Sequence, residues 1–188
     1  MALKEFIEKC LDQQHAALVK AVEDLSPQEL SFRPDPQCMS IGFVVWHSAR
    51  AQDFLVQTVA KGAPQLWEGE WAERCDRSPA NPQDIGFGFV AEQLGAFQVP
   101  SLSVLRAYIE ATRANALQHL RGLDDATLEA VKVSSPMGGQ LTLASLYQQM
   151  IWELNQHGGQ IGYLRGMQRG IEDPMDIGTV WGAARDAG

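Results

Sequence analysis

Near the C-terminal end the chain reads MIWELNQHGGQIGYLRG over residues 150–166, with Glu153 and His157 four apart. On a helix, side chains at that spacing stack one turn above the other, so a carboxylate oxygen and an imidazole nitrogen can reach one ion. Steps of three and four pick out Leu146, Met150, Glu153, His157, Gln160 and Leu164 as one stripe, apolar at both ends and polar in the middle. Apolar ends mark a core face. A carboxylate on such a face loses its hydration unless a positive or strongly hydrogen-bonding group replaces water, and a divalent cation does so.

Two ligands from one helix do not close a site. The third is expected at His47, the one other histidine on a convincing apolar face of a long helix, three residues after Val44 and seven before Phe54. The candidate set is therefore His47, Glu153 and His157, with further positions open to water or substrate. Zinc accepts such a set, and non-haem Fe(II) uses the same ligand types. Each residue also has a plainer reading: Glu153 and His157 as a helix-surface pair, His47 as a hydrogen-bonded core histidine. Gln160 is either an outer partner of the site or a polar end to the core, and His15 and His119 are expected on helix surfaces. Gly158 and Gly159 each cost about 1 kcal/mol relative to alanine inside a helix. They would either let another element or a substrate approach closely or serve packing alone.

Four long amphipathic helices must position these groups. The first runs through Leu3, Phe6, Ile7, Cys10, Leu11, Leu18, Val22 and Leu25, and Ser26, Pro27 and Glu29 then open a short capped turn. Ser40 caps the second, whose inward face is Ile41, Val44, Ala51, Phe54, Leu55 and Val59, with Gly62 as its stop. Residues 62–100 form a long connection carrying Trp67, Trp71, Phe87 and Phe89, with a short helix near Val90 to Leu94; its aromatics either roof a pocket or anchor the loop. The third helix runs from about Ser101 to Arg121, and the fourth from Thr142 to Gly166 or Gly170, after a loop at SSPMGGQ. The expected architecture is an all-α antiparallel four-helix bundle over residues 1–170, followed by a tail, 171–188, without periodicity.

A formal net charge of −8 without a basic cluster argues against nucleic acid or an anionic membrane surface as partner. No apolar run is long enough to span a bilayer and the start MALKEFIEKC is unlike a signal peptide, so a cytoplasmic location is expected. Cys10, Cys38 and Cys75 are too widely spaced for a disulfide framework or a zinc finger and read as free thiols. Cys38 precedes a helix start, where a thiolate is favoured, although a small buried apolar role suits it better.

The stretch SIGFVVWHSARAQDF, followed about a hundred residues later by ELNQHGGQIGYLRGMQRG, resembles the DinB/YfiT-like superfamily of four-helix-bundle metalloproteins, and FQVPSLSVLRAYIEATRANALQHLRGLDDATLE resembles its third-helix region. Many members carry three metal-binding histidines, one on the second helix and an H-x-x-x-H pair on the fourth. His47 and His157 match the first and last, and Glu153 stands in place of the middle one. That departure resembles the branch containing mycothiol-dependent maleylpyruvate isomerase, whose ligands are two histidines and a glutamate. The resemblance implies a divalent metal, zinc or nickel, thiol-dependent transferase or isomerase chemistry on a small molecule, and a homodimer.

The expected mechanism has the metal lowering the pKa of a low-molecular-weight thiol, or of water, in its open position. Arg165, two turns after His157, is a candidate holder of an anionic cofactor or substrate group, against a default role at the helix end. Alternatives are a metal-dependent amide or ester hydrolase and a non-catalytic, stress-induced metal-binding protein.

Overall fold

The computed structural model describes residues 1–170 and Asp173. In chain order its elements are α1 (Leu3–Val22), α2 (Pro27–Ser31), α3 (Ile41–Asp53), α4 (Trp71–Arg74), α5 (Ala91–Ala96), α6 (Leu102–Arg121), α7 (Asp125–Ala130), β1 (Lys132–Ser134), β2 (Gln140–Thr142) and α8 (Leu143–Arg169). Hydroxyl caps set half of the helix starts. Ser26 and Glu29 form a reciprocal capping box at α2, while Ser40, Ser101 and Thr142 each accept from the amide three residues on at α3, α6 and α8. α1 stops at Val22, one turn short of the Leu25 that the periodicity suggests, and Phe6 is half exposed. Beyond Asp53 the second long helix continues as a π-helical stretch, Phe54–Ala60, before Gly62 at φ 60° ends it.

The four long helices form the expected all-α bundle. α1 and α8 run the same way, since the Gln14 side chain donates to the Ile151 carbonyl and Arg165 donates to that of Ala21. α3 and α6 also run together: Asp53 meets Tyr108 and Lys61 meets Asn115. Contacts of Arg113 with Asp12 and of Arg121 with Glu8 set α6 against α1. The chain thus goes up, down, down and up. A tight turn cannot join two parallel neighbours, so the link between α3 and α6 must travel back along the bundle. That is the physical reason for the long 62–100 connection.

This crossover lies on α3 and changes what that helix buries. Every residue from Ile41 to Asp53 is buried, so the single inward face expected from Ile41, Val44 and Ala51 is too narrow; Phe43, Val45 and Trp46 are equally enclosed. Inside the crossover, Trp67 and Trp71 are buried and pack against Tyr108, Trp71 stacked and Trp67 tilted, which makes them anchors of the loop. Phe89 packs on Phe43 and Trp46, whereas Phe87 is exposed.

Arg50 and Asp53, both fully buried, fasten the crossover. The Asp53 carboxylate accepts from the amides of Leu66 (3.0 Å) and Trp67 (2.9 Å) and from the Tyr108 hydroxyl (2.8 Å). The Arg50 guanidinium donates to the carbonyls of Asp84 (3.0 Å) and Pro82 (3.1 Å) and to the Tyr108 oxygen, and stacks over Trp67. Burial and the adjacent acid push the Tyr108 hydroxyl pKa upward, so it remains a donor to Asp53. Each buried charge is thereby supplied with hydrogen bonds in place of water.

Two features lie outside the sequence expectation. β1 and β2 form an antiparallel hairpin, with Lys132 opposite Thr142, around the glycines of SSPMGGQ; strands of three residues are too short to show a period of two. The unpatterned tail expected at 171–188 falls outside the described residues except for Asp173. Among the described residues no helix is long and apolar enough to cross a membrane.

Removing one partner of a buried, hydrogen-bonded charge pair costs about 3–5 kcal/mol, and an exposed pair about 0–1 kcal/mol. Urea unfolding is therefore expected to show a large loss for Asp53→Ala and a small one for Asp12→Ala, whose carboxylate meets Arg113 near the surface. Equal losses would contradict the anchoring role.

Candidate metal centre

α3 and α8 bring His47, Glu153 and His157 together. Glu153 Oε1 lies 3.6 Å from His47 Nε2 and 3.8 Å from His157 Nε2, and the two imidazole rings meet edge to face with centroids 4.8 Å apart. One ligand atom from each residue falls within 4.8 Å of the others, and among the described residues this group has metal-ligand character. His47 is buried; Glu153 and His157 are partly covered. The stripe on α8 is therefore a core face at Leu146, Met150 and Leu164 and only partly covered at its centre.

The outer nitrogens of both imidazoles are taken. His47 Nδ1 donates to the Ile85 carbonyl, and His157 Nδ1 donates to the side-chain oxygen of Gln160 at 2.8 Å. Facing carbonyl oxygens, both Nδ1 atoms carry the hydrogen, which leaves both Nε2 atoms with lone pairs aimed at the Glu153 carboxylate. No pair among these three is within good hydrogen-bonding distance, and His157 Nε2 is buried with no partner among the described residues. Three electron-rich atoms around one gap repel one another unless a proton or a cation lies between them.

The titration of the group shows the same demand. The imidazoles of His157 and then His47 hold the Glu153 carboxyl down at about 2, against the opposing effect of its burial. Burial disfavours a charged His157, but Glu153 and Gln160 outweigh it and raise its pKa. Two imidazoles and one carboxylate, each histidine oriented by an outer acceptor, form a donor set that fits a zinc-like or first-row divalent cation and leaves further coordination positions free.

The crossover supplies what spacing on the helices could not reveal. Gly86, at φ 82°, lets its strand of backbone press on α3: a Cβ there would lie 2.8 Å from Trp46, 2.9 Å from Phe43 and 3.3 Å from His47 Nδ1. Any side chain would lift the neighbouring Ile85 carbonyl from His47. Phe43 stacks parallel to the His47 ring, and Arg50, one turn further along α3, grips the carbonyls just before Ile85. The only sequence signal of this contact is the pair of glycines in DIGFGF.

The other singled-out residues divide. Gln160 is exposed rather than core, yet its oxygen is the partner of His157. Arg165 is 3% exposed, contrary to its default surface role, and is engaged by Asp24, Asp173 and the Ala21 carbonyl, which occupies its donors. His15 and His119 are not surface groups either: the first pairs with Glu110 across two helices, the second with the Tyr147 hydroxyl. Cys75 is buried and its thiol pushed up to about 11 by that burial, Cys10 is also raised, and neither they nor Cys38 join the metal-ligand group. Among the described residues a Cβ at Gly158 or Gly159 would meet nothing within 4 Å.

Comparison with known proteins agrees with the fold. No curated protein matches the chain. Among solved structures, a conserved protein from Enterococcus faecalis superposes with a TM-score of 0.76 at 20% identity, covering 88% of this chain and 96% of that one, a likeness of fold. The sequence profile of the DinB superfamily matches residues 11–161, which include all three residues of the candidate centre. The chain belongs to the DinB superfamily.

Proposed function

We propose that His47, Glu153 and His157 hold a divalent cation, zinc or nickel, and that the protein transfers a low-molecular-weight thiol to a small electrophilic molecule or isomerises that molecule with the thiol's help. The observation that carries this reading is the convergence of two Nε2 lone pairs and one carboxylate oxygen on a common gap, with both Nδ1 atoms already committed to carbonyl oxygens. A cation bound there supplies acidity, bringing a coordinated thiol or water to its anionic form near neutral pH.

The chain's own residues keep the ligands ready. Glu153, held at about 2, stays ionised throughout the physiological range. Ile85 and Gln160 fix the tautomers and ring planes of His47 and His157. Since none of the cysteines belongs to the centre, a thiol nucleophile would come from solution. A homodimer, implied by the resemblance, and a cytoplasmic location belong to the same proposal.

Protein purified without a histidine tag is expected to carry about one equivalent of metal. Glu153→Ala should lose it, and Gln160→Ala should bind it about 10–100-fold more weakly. Equal, stoichiometric metal in wild type and Glu153→Ala would remove Glu153 from the ligand set. Turnover of a halogenated aromatic is expected only with added thiol. Thiol-independent cleavage of esters or amides would indicate a hydrolase, and bound metal without either activity a non-catalytic binding protein.

The pH dependence has a definite sign. In metal-free protein, the raised pKa of His157 contributes stability fully present below 6.5 and lost as pH rises through its folded value. The lowered Glu153 contributes stability above 4.5 that is lost as pH falls towards about 2. Melting of metal-free protein should therefore be highest between the two and decline above pH 6.5. Added cation should abolish the alkaline decline; a decline unaffected by metal would separate the titration from the centre.

A further inference from the structure

On the opposite face of α8 from the metal ligands, between α1 and α8, lies a cavity of about 770 Å³ that none of His47, Glu153 and His157 borders. Small-molecule sites typically enclose about 300–1,000 Å³. Its walls are mostly apolar, formed by Leu18, Ile109, Ile151 and Leu154. Gly158 and Gly159 lie along it, and packing does not require them, since a Cβ at either would enter open space. A helix interior that bears two glycines without a steric reason keeps a volume clear.

A second observation points to an occupant. Gln52, on α3, reaches the same cavity, is 6% exposed, and makes no side-chain hydrogen bond among the described residues. Its carboxamide stays open to the cavity, where water meets it, while Gln14 Oε1 and His15 Nδ1 of the same lining are buried without partners among the described residues; a ligand that fills the cavity and hydrogen-bonds the Gln52 amide replaces that water. The cations nearby are already matched, Arg113 by Asp12 and Glu110 and Lys20 by Glu23. An anionic group would find no free positive charge there.

We propose that the groove between α1 and α8 is a binding site, separate from the metal centre, for a neutral, largely apolar small molecule with one hydrogen-bonding group that Gln52 receives. The test uses full-length protein and N-phenyl-1-naphthylamine, a neutral apolar fluorophore with a single N–H. Saturable binding of one probe per chain is expected, with the anionic 1-anilinonaphthalene-8-sulfonate binding more weakly. Gly158→Leu, which places a side chain in the void while improving helix propensity, should weaken the neutral probe at least tenfold with melting temperature maintained or raised. Ala17→Leu blocks the same space from α1 and should do likewise, should Gly158→Leu not fold. Gln52→Met should weaken binding severalfold. Wild-type affinity in the two leucine variants, tighter binding of the anionic probe, or no saturable binding would overturn the proposal. So would a dimer that excludes the probe and is broken by Gly158→Leu, since a second copy would then fill the groove.

Discussion

Arg50 and Asp53, one helical turn apart and withdrawn from water, hold the architecture of the site in place. Their charges are tolerable only because the crossover wraps them with amides and carbonyls, and the crossover stays on α3 only because they are there to bind it. The dependence extends to the metal centre. The segment that Arg50 grips at Pro82 and Asp84 continues directly into Ile85, whose carbonyl sets the tautomer of His47. A bundle of four helices could bring His47 near Glu153 and His157 without this clamp, but the ring would be free to turn its lone pair elsewhere.

The centre itself is held together by a deficit. Two lone pairs and a carboxylate facing one gap make a poor arrangement on their own, and the lowered Glu153 and raised His157 both register that a positive charge belongs there. The separations of 3.6 and 3.8 Å stand open between two helices that are buried nearby at Leu146 and Met150 on one side and Val44 and Trp46 on the other. The same turns of α8 carry the ligands on one face and the glycine-lined groove on the other. One helix thus separates two spaces of different chemistry, one polar and one apolar.

Local and periodic features were legible in the sequence, and long-range backbone contacts were not. Ser40 and Thr142 announced their helices because a capping hydroxyl acts within three residues of its partner. Glu153 and His157 were legible as a pair because helical geometry fixes side chains four apart, and His47 because an imidazole among Val44 and Phe54 needs a reason. Ile85 and Gly86 were invisible as partners of His47, since their contribution is a carbonyl and a missing Cβ, which leave no pattern in residue type. Arg50 and Asp53 read as ordinary helix charges until the crossover was seen to cover them. The parallel course of α3 and α6 could have been inferred from the length of the 62–100 link, because only a return along the bundle needs so many residues.

The two histidines are oriented by unlike means. His47 answers to the main chain at Ile85, and a carbonyl persists whatever side chain residue 85 bears; His157 answers to the amide of Gln160, which a single codon change can replace. Evolution therefore has one dial and one fixed stop: exchange at position 160 can tune imidazole basicity and cation affinity in graded steps while all three donors remain in place.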